Sequence, residues 1–161
     1  MFREMRRKRQ QLPHEECIEI LEKSTSGTLA VSGDDGYPYA VPLSYVYKDG
    51  KIDFHCANSG HTLDAIKNNP KASFCIIAAD EIVPEKFTTC FKSVIAFGTA
   101  RIMEGDEMRP AIDWLAEKYS PNVEGKDAEI DGAYSALCMI EFTIEHMTGK
   151  EAIELTRMRT K

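Results

Sequence analysis

The chain has no long hydrophobic run and no excess of basic residues. No stretch reaches the roughly 18 consecutive apolar residues that a membrane-spanning helix needs. The basic residues at the start are not followed by the apolar segment of a signal peptide. Acidic residues outnumber basic ones by 26 to 20, for a formal net charge of −6, whereas nucleic-acid binders are usually basic. We therefore expect a cytoplasmic protein with neither a nucleic-acid nor a membrane partner.

Metal-binding and nicotinamide-binding motifs are also absent. The five cysteines are widely spaced, with no Cys-x-x-Cys pair and no histidine at zinc-finger spacing: Cys17, Cys56, Cys75, Cys90 and Cys138. We expect free thiols, since reduced cysteine packs as a small hydrophobic residue, and no metal site. There is no Gly-x-Gly-x-x-Gly fingerprint, so a nicotinamide electron donor would bind only transiently.

Hydrophobic periodicity and turn residues predict a mainly β, α+β fold. Helices are predicted at 13–23, at 106–119, and from a first turn at His61 to a stop at Asn68-Asn69-Pro70. Strands are predicted at 27–32, 37–47, 51–56, 71–79, 90–103 and 133–146, and loops at 80–89 and 120–131. Six or so antiparallel strands in a meander, with helices at the ends, predict a small closed barrel. At 161 residues we expect a single domain, 1–161, with a basic arm at 1–11 and a tail at 151–161.

The stretch from Ile52 to Pro70 carries the main functional signal. A strand leads into Asn58-Ser59-Gly60 and then into a short helix. Backbone N–H groups at a helix start favour an anion, and His61 and Thr62 add side-chain donors there. Two interpretations remain open: a phosphate site, or an ordinary strand–helix connection capped by Ser59.

Pro42 is a second signal, inside the strand predicted at 37–47. Proline cannot donate to a strand ladder. Pro42 therefore marks an edge strand, a bulge, or a place where something other than a strand lies alongside.

These segments resemble the pyridoxamine 5′-phosphate oxidase-like FMN-binding split-barrel superfamily. The resemblance is carried by the order of Phe54-His55-Cys56, Ser59-Gly60, His61-Thr62 and Asn68-Asn69-Pro70. Over residues 5–150 the chain is similar to the branch of Nim-type nitroimidazole-resistance proteins. In that branch a final strand precedes a short Thr-Gly-Lys turn, here 148–150.

The resemblance implies a flavoprotein with FMN as cofactor. It implies a homodimer with its sites at the interface, and an oxidoreductase that reduces nitroaromatic, 5-nitroimidazole-like substrates. The implied cofactor-binding residues are Val41, Pro42, Leu43, Ser44, Phe54, His55, Cys56, Ser59, Gly60, His61, Thr62 and Ser93. His55 is also the candidate catalytic residue, as a general acid towards a reduced nitro intermediate, unless only its backbone contacts the flavin.

Two departures from the parent oxidases qualify this. His61-Thr62 stands where those oxidases have an arginine–lysine pair, which implies a weaker or pH-dependent hold on phosphate. The segment with Trp and Arg-His that ends those oxidases is missing, which argues against pyridoxamine phosphate oxidation.

Other interpretations stay open. The fold could bind flavin or haem without catalysis, or act unliganded as a subunit or stress protein. The basic arm could touch an anionic partner, although a solvated leader packed loosely on a neighbouring subunit is the simpler expectation for a charge run.

Overall fold

The computed structural model describes residues 1–159 as one antiparallel sheet of seven strands. The strands are β1 (Gly27–Ser32), β2 (Pro38–Leu43), β3 (Val46–Lys48), β4 (Lys51–Cys56), β5 (Lys71–Val83), β6 (Thr88–Ile102) and β7 (Cys138–Glu151). The helices of this part of the chain are α1 (His14–Lys23), α2 (His61–Asn68), α3 (Met108–Tyr119), α4 (Lys126–Ala133) and α5 (Ile153–Arg159). The predicted α+β class is confirmed, with seven strands instead of six. No helix among these residues combines the length and apolar character of a membrane span.

The sheet curls, but it does not close. Its strand order is β2-β1-β5-β6-β7-β4-β3, so β2 and β3 are the two edges. Only Ser44 and Tyr45 separate these strands in the chain, and three Cα–Cα steps span at most about 11 Å. The opposite edges must therefore lie close together, as in a split barrel. The closed barrel expected from the sequence is wrong, because no ladder joins β2 to β3.

The seam between the edges is held by tyrosines. Tyr45 is fully buried, and its hydroxyl donates to the Leu21 carbonyl in the last turn of α1 (2.7 Å). The Tyr119 hydroxyl of α3 accepts the Tyr45 N–H (3.0 Å). It also lies within hydrogen-bond distance of the carbonyl oxygens of Thr25 (2.5 Å) and Tyr45 (2.8 Å). Backbone groups that a neighbouring strand could bind are thus taken up by a side chain.

Alternating residues of the curled strands fill one main core. Leu29, Phe54, Phe74, Ile76 and Phe142 are fully buried there. Pro42 lies on the edge strand β2, which pairs only with β1, so the edge interpretation of that proline is confirmed.

Four segment predictions are wrong. The single strand expected at 37–47 is two strands, β2 and β3, because the chain passes from one edge of the sheet to the other at Ser44 and Tyr45. The loop expected at 80–89 is mostly a hairpin, because β5 and β6 stay paired out to Val83 and Thr88 around a turn that contains Pro84. The loop expected at 120–131 contains most of α4. The last strand begins at Cys138 and continues through the turn expected at 148–150. This position of the strand requires glycine, because a Cβ at Gly149 would lie only 2.5 Å from Cys17 Sγ of α1.

The N-terminal arm packs on its own sheet. Gln10 is buried, and its amide donates to the Glu151 carbonyl (2.7 Å). The Phe2 ring stacks on His146 of β7, with centroids 4.9 Å apart. Residues 1–4 and 6–9 are nevertheless exposed, as expected of a solvated leader, and packing on a neighbouring subunit stays a prediction.

The tail predicted at 151–161 is largely ordered. Glu151 ends β7, and α5 follows from Ile153 to Arg159. Arg159 Nη2 lies 2.7 Å from Glu151 Oε1. Residues 160–161 lie outside the described residues.

We predict that Tyr45→Phe destabilises the protein by about 1–3 kcal/mol, because the buried Leu21 carbonyl loses its donor. Urea denaturation measures the change. Tyr37→Phe is the matched control, because Tyr37 is 76% exposed, and it should shift the midpoint little. Equal stability of Tyr45→Phe and the wild type would contradict a role for this bond.

Candidate functional site

The loop after β4 presents an uncapped helix start. Gly60 is the N-cap of α2, with φ 129° and ψ 174°, and no side chain caps the helix. The first helical bond runs from the Asp64 N–H to the Gly60 carbonyl (3.1 Å), so the N–H groups before Asp64 have no intrahelical partner. The alternative in which Ser59 caps the helix is wrong. The backbone N–H groups here can donate hydrogen bonds to an anion, as expected of a free helix N-terminus.

The His61 side chain contacts the β1–β2 hairpin. Its ring stacks on Tyr39, with centroids 4.1 Å apart, and its Nε2 lies 3.8 Å from Asp34 Oδ2. The imidazole is therefore positioned at the first turn of α2, where it can donate to the same anion as the backbone. Asp34 is a competing partner for that donor.

The seam leaves the end of β4 unpaired on one side. Val46 is the last β3 residue in the ladder, opposite Asp53. Phe54, His55 and Cys56 pair only with β7. Continuing the register past Val46 places His55 opposite Ser44 across the seam. Unpaired backbone groups there and along β2 could bind the polar edge of a flat ligand.

Ser44 and His55 line one cavity of about 390 Å³. Apart from these two residues and the Tyr119 ring, its wall is apolar: Ile112, Leu115, Ala116, Leu137 and Met139. The volume lies in the usual range of small-molecule sites. The cavity combines an exposed imidazole with a hydrophobic lining supplied mainly by α3.

The other predicted site residues divide by the direction of their side chains. Val41 and Leu43 pack against the core, and Phe54 is fully buried within it, so only their backbones could touch a ligand. Pro42, Ser59 and Gly60 are exposed, while Thr62 at the start of α2 is half-buried. Together these residues lie along the seam between the sheet edges and along the loop that joins β4 to α2.

Cys56 is not a reactive nucleophile. All five cysteines are free, as expected. Cys56 lies opposite Cys138 in the β4–β7 register. Burial, together with the neighbouring Cys138 thiol, raises the pKa of Cys56 to about 12, so the thiol stays protonated at neutral pH.

Ser93 lies apart from the other predicted residues. It sits on β6, opposite Ile77 of β5 and Lys150 of β7, and two steps from β4 in the strand order. It does not line the cavity of Ser44 and His55. Within one chain, the structure does not bring Ser93 into the site.

Sequence reasoning missed the α3 contribution to the site. Tyr119 and Leu115 lie in the helix predicted at 106–119, and Leu137 and Met139 in the strand predicted at 133–146, and none of them is a predicted site residue. One signal could have identified the cavity. The predicted helix at 106–119 and the predicted strand at 133–146 carry more large apolar residues than are needed to cover one face of the sheet.

The chain belongs to the pyridoxamine 5′-phosphate oxidase family, whose model matches residues 13–151. None of the curated proteins matches it. Among solved structures it is similar to a candidate 5-nitroimidazole antibiotic resistance protein of Bacteroides thetaiotaomicron, with TM-score 0.75, 17% identity, and coverage of 88% of this chain and 86% of that one.

Two further solved structures share the fold. One is an FAD-binding protein of Mesorhizobium loti, with TM-score 0.65, 23% identity, and coverage of 88% of this chain and 96% of that one. The other is an FAD and haem binding protein of Mycobacterium smegmatis, with TM-score 0.75, 20% identity, and coverage of 89% and 73%. At these identities the likeness establishes the architecture.

We predict that Gly60→Ala costs roughly 1–3 kcal/mol of stability, because only glycine readily adopts the Gly60 backbone conformation. Space is not the limit, since no atom lies within 4 Å of a Cβ built there. Gly132→Ala in α4 is the control: it has equal space and no positive φ, and should be neutral or stabilising. Thermal unfolding measures both, and equal effects would contradict strain at Gly60.

Proposed function

We propose that the protein binds FMN, with the flavin phosphate at the start of α2. The observation that carries this proposal is the uncapped N-terminus at Gly60, directly after the unpaired end of β4. Free N–H groups and the helix dipole favour a phosphate, and His61 and Thr62 add donors from the same turn. No lysine or arginine lies between Cys56 and Leu63, so the backbone must provide most of the binding.

The ring would lie along the seam. The β2 segment from Val41 to Ser44 offers an edge without a second strand partner, and the backbone of Phe54–Cys56 faces it. The apolar cavity beside Ser44 and His55 gives the ring a hydrophobic surface that excludes water.

We propose that the protein is an oxidoreductase acting on nitroaromatic compounds. The bound flavin would supply the electron transfer. The chain's own contribution would be to orient ring and substrate, exclude water, and hold a proton at the His55 imidazole for a reduced substrate. The fold shared with the candidate nitroimidazole resistance protein supports this substrate class.

A second candidate function is binding of flavin or haem without catalysis. The observation that favours it is the His55 imidazole in a mostly apolar cavity, which would suit a ligand to haem iron. An FAD and haem binding protein also shares the fold.

We propose a homodimer that shares its sites. Ile77, Ile95 and Phe97 are large apolar residues with 67%, 42% and 40% exposure on β5 and β6. Ser93 lies on the same face of β6, since alternate residues share a face. A second copy covering this face would bury the apolar side chains and could bring Ser93 to the partner's seam.

FMN affinity tests the phosphate site. We predict that the double variant His61→Ala/Thr62→Val binds FMN about tenfold more weakly, since two charge-assisted or neutral hydrogen bonds are lost. Quenching of FMN fluorescence on binding measures the affinity. His14→Ala is the matched control, because His14 is exposed on α1. Unchanged affinity in the double variant would remove the phosphate assignment.

Colour and turnover separate the candidate functions. A yellow protein indicates flavin and a red one haem. Anaerobic bleaching by NADPH, followed by reoxidation with a nitroimidazole, would identify a reductase. Stable FMN binding without turnover would leave a binding protein, and a colourless protein that takes up no FMN would contradict the proposal.

We predict that Ile77→Lys raises the dissociation constant of the dimer at least tenfold, because a charge would be buried in the interface. Sedimentation equilibrium measures it. The control is Val123→Lys, at a residue with 54% exposure outside β5 and β6. A monomeric wild type, or a variant as dimeric as the control, would contradict this interface.

A further inference from the structure

A second cavity of about 410 Å³ lies beside the first turns of α3 and shares no lining residue with the His55 cavity. Its apolar wall is formed by Met103, Pro110, Ala111 and Trp114. Its polar wall contains four carboxylates and three cationic side chains: Asp49, Asp53, Glu107, Glu141, Lys48, Lys51 and Arg101. The formal charge of this wall is therefore −1.

Two of the cations are already committed to two of the carboxylates. Glu141 accepts from Lys51 Nζ (2.8 Å) and from Arg101 Nε (2.9 Å). Arg101 also donates to both carboxylate oxygens of Glu107, at 2.9 and 3.0 Å. Burial would raise the pKa of Glu141, but these bonds from Lys51 and Arg101 lower it. Glu141 is therefore ionised and satisfied.

Asp53 is the exception. It is 2% exposed and lies directly opposite Glu141 in the β4–β7 register. No described residue donates a hydrogen bond to its Oδ1. A buried carboxylate oxygen without a donor costs free energy and is rare in folded proteins. The Asp53 side chain also lines the cavity, so its carboxylate is the candidate acceptor for a molecule bound there.

We infer that the cavity binds an organic ammonium compound, whose N–H donates to the Asp53 carboxylate and whose carbon skeleton packs on Trp114, Met103 and Pro110. The negative wall and the committed cations disfavour an anion. No group of three or more His, Cys, Asp or Glu residues among residues 1–159 is arranged to hold a metal ion, which disfavours a metal ion here. Trp114 offers a face to a cation, and the volume far exceeds the space one water needs.

The ionisation of Asp53 gives the site a pH dependence. Burial and the facing Glu141 raise the pKa of Asp53 to about 6, against the opposing effect of Lys51 and Arg101. Lys48, Asp49 and Glu107 are the remaining charged groups that line the cavity. Since only the carboxylate attracts an ammonium, affinity should fall about tenfold between pH 7 and pH 5 as Asp53 takes up a proton.

The same shift affects stability in a defined direction. A folded-state pKa above the unfolded value of about 3.9 stabilises the protein at low pH, and this contribution is lost as pH rises from about 4 to about 6. An asparagine at position 53 cannot ionise, so Asp53→Asn avoids the fall in stability that deprotonation of Asp53 causes. This variant should therefore fold and be at least as stable as the wild type at pH 7.

The probe is 2-phenylethylamine, with 2-phenylethanol as its uncharged counterpart. Trp114 is the chain's single tryptophan and lines the cavity, so its fluorescence reports occupancy directly. We expect a saturable change with the amine and at least tenfold weaker binding of the alcohol. Asp53→Asn should weaken amine binding at least tenfold. Asp49→Asn, which removes the same charge from the same wall, should stay within twofold of the wild type.

Several results would overturn the inference. These are no saturable change with the amine, equal binding of amine and alcohol, or equal affinity in Asp53→Asn and the wild type by calorimetry. A crystal structure in the amine that shows only water on Asp53 would also do so. None of these measurements requires FMN, so the inference can stand or fall independently of the proposed flavin site.

Discussion

The hydrogen bonds between the Tyr119 hydroxyl and the backbone of Tyr45 are the constraint on which the architecture depends. The two residues before Val46 carry the chain from one edge of the sheet to the other, so the sheet must curl. Closing the barrel would require a strand partner at Tyr45, and α3 provides a side chain there instead. The seam consequently stays open, and the end of β4 keeps backbone groups that no neighbouring strand uses. The packing of α3 therefore accompanies the splitting of the barrel, and the two cavities discussed above both adjoin α3.

Local patterns predicted the elements whose residues alternate or repeat clearly. Strands β1 and β4 and helices α1 and α2 lie where turn residues and periodicity indicated. The β5–β6 hairpin was cut short because Asp80 and Glu81 look like loop residues, although an exposed strand tip tolerates charge. Helix α4 was missed because its sequence, Lys126–Ala133, has little apolar periodicity. The continuation of β7 through Gly149 was missed because that glycine serves contact with α1 instead of a turn, which no local pattern shows.

The candidate site illustrates the same limit. Sequence order placed Gly60, His61 and Thr62 after a strand, and the structure gives that loop the uncapped geometry an anion site needs. Ser44 and His55 are already neighbours in the predicted hairpin of strands 37–47 and 51–56, but the cavity that they line depends on α3. Ser93 could not be placed with the other residues of the site, since its face of β6 is an exposed apolar surface that only the proposed second copy would cover. What the sequence cannot predict are contacts set by curvature and by a covering helix.

Asp53 shows how such a contact changes the meaning of a residue. In the alternating pattern of β4 it occupies an outward position, where an aspartate would be an ordinary solvated charge. Helix α3 and its preceding turn cover that face, and the solvated charge becomes a buried one beside Glu141. Neutralising both carboxylates with the nearby Lys51 and Arg101 would have satisfied the fold, yet both cations are directed to Glu141 and one of them also to Glu107. A buried oxygen left without a donor lowers stability, so its retention beside a cavity is better explained by a ligand than by packing.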